Sequence, residues 1–94
     1  MKEKGEARRF VIRGRVQGVG FRWWTRQAAH ELGLAGWVRN RPDGTVEVWA
    51  QGPTEGLRRF GRRLWEGPAS ARVEEVGEEE VAETPEVEGF RIRR

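Results

Sequence analysis

The hydrophobic positions of the chain change period several times, and each change marks an element. From Arg8 to Gly14, Phe10 and Ile12 alternate with Arg9, Val11 and Arg13, which predicts a strand. From Phe21 the period lengthens: Phe21, Trp24, Ala28 and Leu32 recur at helical spacing, Ala29 lies beside them, and Gly33 supplies a C-terminal cap. Trp23, Gln27 and His30 fall on another stripe of that helix. Alternation returns from Ala35 to Asn40, and Pro42-Asp43-Gly44 is a turn signal. Thr45 to Ala50 makes a third strand, with Val46, Val48 and Ala50 opposed to Thr45, Glu47 and Trp49, so a hairpin is expected. Gly52-Pro53 starts a second helix with proline in its first turn. Leu57, Phe60, Gly61 and Leu64 form its apolar stripe and Arg58, Arg59, Arg62 and Arg63 its wet side, until Gly67-Pro68 stops it. Beyond Ala71, Val73, Val76 and Val81 do not alternate strictly, which predicts an edge strand with a bulge near Gly77. Thr84-Pro85 breaks the run, and Phe90-Arg91-Ile92 is a short last strand.

Strand, helix, strand, strand, helix, strand, with one extra short strand late, is the α+β plan of a ferredoxin-like α/β sandwich. Two helices then cover one face of an antiparallel sheet. The pattern leaves open whether residues 71–81 or 89–93 lie beside the first strand. The 94 residues form a single domain, 1–94, of which residues 1–6 are expected to fray.

Composition narrows the chemistry. Without cysteine there is no disulfide frame, thiol nucleophile or sulfur-ligated metal. A single histidine, His30, argues against the usual zinc clusters and a His-paired serine triad, and we read it as a surface residue lacking an acid–base partner. No apolar run is long enough for a membrane span, and the N-terminal residues lack an apolar signal region, so a cytoplasmic protein is expected. The net charge of +3 is unevenly spread: eight of fifteen acids lie between Glu74 and Glu88, leaving eighteen basic side chains against seven acids elsewhere. Such an excess attracts phosphorylated metabolites or nucleic acid, although most of these side chains are read as solvated faces.

The stretch Gly14-Arg15-Val16-Gln17-Gly18-Val19-Gly20-Phe21-Arg22 joins the first strand to the first helix. Its three glycines allow positive φ and close approach, and successive amides can point into one concavity at the positive end of the following helix. Arg22 adds a permanently charged fork for two oxygens. The spacing is neither the Walker pattern nor the dinucleotide fingerprint. Two readings stay open for this stretch taken alone, an anion site or a glycine-rich turn followed by a surface arginine. Trp23 either flanks the ligand mouth or packs in part.

Topology adds a constraint. If the first strand runs up, the glycine loop lies at the top, the helix descends, and the second strand runs up again to finish there at Asn40. Period-two parity puts Asn40 on the helix-covered side with Val38, opposite Trp37 and Arg39. Taken by itself, Asn40 is a turn former before Pro42. The convergence of an amide cradle, a cation and a carboxamide favours a site.

The glycine stretch and Gly36-Trp37-Val38-Arg39-Asn40, followed by Asp43-Gly44-Thr45-Val46 and Gln51-Gly52-Pro53, resemble the acylphosphatase family from about Arg8 to the closing Phe90-Arg91-Ile92. That resemblance implies a ferredoxin-like enzyme that hydrolyses the carboxyl–phosphate bond of acyl phosphates with no metal or other cofactor. It implies that Arg22 and the loop amides of Arg15, Val16, Gln17, Gly18, Val19, Gly20 and Phe21 bind the phosphate, and that Asn40 orients the attacking water. The family often has a small hydroxylated residue after the asparagine, where this chain has Arg41. The expected partners are an acyl phosphate and inorganic phosphate or a similar anion, acting on a monomer away from membranes.

Two rival readings share the architecture. An RNA-binding sheet needs aromatics on the open faces of its central strands, and here Arg9, Val11, Arg13, Thr45 and Glu47 accompany one Trp49, which disfavours nucleic acid. A carrier or regulatory module would bind phosphate or carbamoyl phosphate without turnover.

Overall fold

The computed structural model of the chain describes residues 5–84 and 87–94. The elements run β1 (Gly5–Arg15), α1 (Phe21–Glu31), β2 (Ala35–Asn40), β3 (Val46–Pro53), α2 (Thr54–Glu66), β4 (Arg72–Val81) and β5 (Phe90–Arg93). The five strands form one sheet in the order β4-β1-β3-β2-β5. β3 is antiparallel to both β1 and β2, so β1 and β2 run the same way and their C-terminal ends share one end of the sheet. β4 takes the place beside β1, and β5 lies parallel to β2 at the far edge. The expected antiparallel sheet is therefore mixed. The connection after β4 crosses to the opposite edge, which lets β5 start at the same end as β2 and run alongside it.

The core lies between the sheet and the two helices. Phe10, Ile12, Val38, Val46, Val48 and Ala50 meet Phe21, Ala28, Ala29, Leu57, Phe60 and Leu64. Phe60 sits edge-on to Phe10, with centroids 5.6 Å apart, and to Phe90 at 6.0 Å. Such aromatic pairs add about 0.5–1.5 kcal/mol beyond the area that they bury. α1 covers β2 and β5, whereas α2 covers β4, β1 and β3. The helix stripes fall where spacing put them, with one addition: Thr25 is fully buried in α1, while Trp24 and Leu32 are partly covered.

Several boundaries differ from expectation. Gly5 and Glu6, expected to fray, pair with Pro53 and Gly52, and residues 1–4 lie outside the described residues. Pro53 is the N-cap of α2, with φ −60° and ψ 143°, rather than a residue of its first turn. The irregularity in β4 falls at Glu74, where Arg13 pairs with Glu75 and Gly14 with Val73, and not near Gly77, which pairs with Val11. One extra residue between Val73 and Val76 brings both valines onto the core side. Val81 needs no second bulge because it faces the other way, opposite Ala7. The expected break at Thr84-Pro85 falls partly outside the described residues. Thr84 itself exchanges two 2.9 Å hydrogen bonds with the Gln51 side chain.

The uncovered face of the sheet holds a buried charge. Glu47 is 5% exposed on the central strand β3, and its carboxylate accepts from Arg9 Nε at 2.5 Å and Arg39 Nε at 2.6 Å. Burial opposes ionisation, but the hydrogen bonds and charges of the two arginines outweigh it and hold the Glu47 pKa below the ordinary glutamate value. A depressed folded-state pKa contributes stability that is present above the unfolded value of about 4.3 and lost as pH falls through the folded one. Glu47→Gln is therefore expected to cost about 2 kcal/mol at pH 7. Urea midpoints should show the gap to wild type narrowing in acid, below the ordinary glutamate pKa.

Candidate active site

At the end of the sheet where β1 and β2 finish, an open pocket of about 180 Å³ is lined by Val16, Gly18, Gly20, Phe21, Arg22, Trp23, Asn40 and Ile92. Three segments distant in sequence meet here: the loop between β1 and α1, the end of β2 and the end of β5.

The loop owes its shape to two glycines. Gly18 and Gly20 have φ of 74° and 75°, while Val19 between them keeps a negative φ. Positive φ on either side of a negative one can turn consecutive N–H groups toward one side, as in an anion nest. A Cβ at Gly18 or Gly20 would meet open space, so the requirement is for backbone conformation rather than room. Among the described residues, none accepts a hydrogen bond from the main-chain N–H groups of Gln17, Gly18, Val19 or Gly20. Gly20 is also the N-cap of α1, which has no side-chain cap and no acidic residue in its first turn. The helix therefore presents unpaired donors and its positive end to the pocket, and nothing in its first turn neutralises them.

Arg22 projects from that first turn and lines the pocket, with its Nη1 donating to the Arg93 carbonyl oxygen at 3.2 Å. One fork position is fixed by β5, leaving the other guanidinium donors for a ligand. Asn40 ends β2 on the helix side, as its parity required. Its Oδ1 is buried and has no partner among the described residues. A buried acceptor without a donor is costly, by about 1–3 kcal/mol, unless something at the site supplies one.

The remaining predicted loop residues do different work. Arg15 ends β1 opposite Arg72, and Val19 packs against the edge of the core. Neither they nor Gln17 line the pocket. The Gln17 Nε2 donates instead to the carbonyl oxygens of Arg41 at 2.8 Å and Thr45 at 2.9 Å. These carbonyls belong to a turn that is itself closed by Arg41 N–H to Thr45 O, Gly44 N–H to Arg41 O and two bonds from Thr45 to the Asp43 carboxylate. The Thr45 bonds hold the Asp43 carboxyl below its usual pKa. Gln17 thus ties the loop to the turn that follows Asn40, and the Ser70 hydroxyl holds the other side of the loop through the Val19 carbonyl at 2.9 Å. Arg41 takes part through its main chain, and its guanidinium lies 3.9 Å from the Asp43 carboxylate. Gln17→Ala removes one donor from each carbonyl while each keeps its main-chain partner, and should lower stability by about 1 kcal/mol in urea unfolding. A loosened loop should also raise KM for any phosphorylated substrate.

Sequence reasoning missed the side-chain role of Gln17, the Arg93 carbonyl and the Ile92 wall, because each depends on where β5 and the β2–β3 turn sit. Among the described residues, no group of three or more His, Cys, Asp or Glu is arranged to hold a metal ion, and no helix is long and apolar enough to cross a membrane. On the open sheet face Trp37 joins Trp49, but Arg39 and Arg93 lie over Trp37 at 5.7 and 4.7 Å from its ring centre, and Glu47 holds Arg9 and Arg39.

Comparison with known proteins gives an independent view. The family model described as Acylphosphatase matches residues 8–92. An acylphosphatase of Koribacter versatilis is 51% identical over 92 residues, spanning 98% of this chain and 84% of that protein. The crystal structure of acylphosphatase from Bacillus subtilis superposes with a TM-score of 0.90 at 36% identity, covering 94% of this chain and 98% of that one. Full-length HypF, in a phosphate- and nucleotide-bound form, matches at TM-score 0.87 and 28% identity. That match covers all of this chain but 12% of HypF.

Proposed function

The chain belongs to the acylphosphatase family, and on that premise we propose that it hydrolyses acyl phosphates to a carboxylate and inorganic phosphate with the loop amides, Arg22 and Asn40 as its machinery. The observation that carries this reading is the convergence of an unneutralised helix N-terminus, one guanidinium and one carboxamide on a single pocket.

The chemistry asks little more. An acyl phosphate leaves as a carboxylate whose conjugate acid has a pKa of about 4, so its departure needs no strong protein acid. Water attacks phosphorus, the phosphorus–acyl oxygen bond breaks, and the bonding pair leaves on the carboxylate. Catalysis then reduces to in-line positioning and to stabilising charge on the equatorial oxygens. The nest amides and Arg22 hold those oxygens in a preorganised way. Asn40 Oδ1 accepts a hydrogen bond from the attacking water, and a phosphate oxygen takes the water's proton. Every group in this scheme comes from one copy of the chain.

Acetyl phosphate hydrolysis in the presence of a chelator, inhibited competitively by inorganic phosphate, is the expected result. Phosphate binding without hydrolysis of acetyl or benzoyl phosphate would make the protein a carrier module. Salt-dependent RNA binding that persists in Arg22→Ala would favour a nucleic-acid module.

A further inference from the structure

Among the described residues, three large apolar side chains are strongly exposed: Trp23 at 60%, Trp65 at 51% and Ile92 at 39%. Trp65 lies on α2, whereas Trp23 and Ile92 both line the pocket that holds Arg22 and Asn40. Isolated exposed apolar residues need no explanation, but two converging on one small pocket are a surface awaiting an apolar partner. Both are bound to the position of the cation. Trp23 follows Arg22 in the first turn of α1, and Ile92 precedes the residue whose carbonyl receives Arg22 Nη1. A phosphoryl group gripped by Arg22 therefore has Trp23 and Ile92 beside it. Among the described residues Arg22 is also the only charged one lining the pocket, while the Arg93 side chain lies over Trp37 on the opposite face of the sheet.

We propose that Trp23 and Ile92 form the acyl subsite, so that the enzyme prefers acyl phosphates with an aromatic or extended apolar acyl group over acetyl phosphate and over those bearing a second carboxylate. This rests on the acyl phosphate reading of the pocket. The apolar acyl group gains by covering the indole and the isoleucine side chain. A second carboxylate would lose hydration against the same surfaces and find no further cation there.

The test compares kcat/KM for benzoyl, acetyl and succinyl phosphate. Wild type is expected to favour benzoyl over both others, and Trp23→Ala to lower its benzoyl-to-acetyl ratio by about tenfold. Ile92→Ala should lower that ratio in the same direction, and Trp23→Phe should restore most of it. Trp65→Ala, also exposed but not part of the pocket lining, should leave the ratio at its wild-type value. Comparing the same two substrates across variants cancels their intrinsic reactivity, and a general loss of structure would not move the ratio. A ratio unchanged in both Trp23→Ala and Ile92→Ala, or a wild type that prefers succinyl phosphate, overturns the acyl subsite while leaving the hydrolase reading intact. A wild type inert toward all three overturns both.

Discussion

Arg22→Ala is expected to lower kcat/KM for acetyl phosphate by about a thousandfold or more. Among the described residues the guanidinium is the pocket's only charged lining group, so its loss removes both the attraction for a dianionic phosphoryl group and a permanent donor to its oxygens. The effect should be divided between terms. KM and the inhibition constant of inorganic phosphate should rise by about tenfold or more, because the charge acts on bound substrate and product alike. The remaining loss should appear in kcat, through the donors that strengthen as charge spreads over the equatorial oxygens. Arg22→Lys should recover little, since an ammonium cannot donate to Arg93 O and a phosphoryl oxygen in the same planar fork. Steady-state kinetics with phosphate as inhibitor would show this division. Near-normal hydrolysis by Arg22→Ala would remove the residue from the mechanism.

Asn40→Ala separates the other half of the site. Here kcat should fall by about a hundredfold while inorganic phosphate continues to inhibit as in wild type. The carboxamide carries no charge and faces the pocket from the end of β2, where its Oδ1 lacks a donor among the described residues. Removing it would take away the acceptor proposed to orient water and leave the glycine loop and Arg22 in place. Because an unpaired buried oxygen is itself unfavourable, the variant should fold as stably as wild type or somewhat more so. Activity lost with stability kept is the signature of a group retained for chemistry. A variant with unchanged turnover would reassign the water to another residue.

The parts of this site that were legible in the sequence are those set by local rules. Two-residue parity and chain direction brought Asn40 to the glycine loop, because both follow from alternation within β2 and from the parallel relation of β1 and β2. The nest was legible because positive φ selects glycine. What escaped depended on which edge each late strand joined. β4 and β5 are each compatible with either edge by pattern alone, so nothing in residues 89–93 announced that Ile92 would wall the pocket or that Arg93 would receive Arg22. Gln17 escaped for a related reason. A polar side chain in a loop reads as solvated until the turn at 41–45 is known to lie within its reach. Glu47 looked like an ordinary solvent-facing position of an alternating strand, and only the placement of Arg9 and Arg39 on both neighbours makes it a buried ion.

The pairing of β5 with β2 also bears on how the pocket comes into being during synthesis. Nest, guanidinium and carboxamide are all encoded before residue 41, yet the wall beside them is translated some fifty residues later. A nascent chain that has emerged only as far as α2 holds every group proposed for chemistry but lacks the strand against which Arg22 rests. Completion of the pocket is thus tied to arrival of the far edge of the sheet, which supplies both the Ile92 wall and the carbonyl that fixes Arg22.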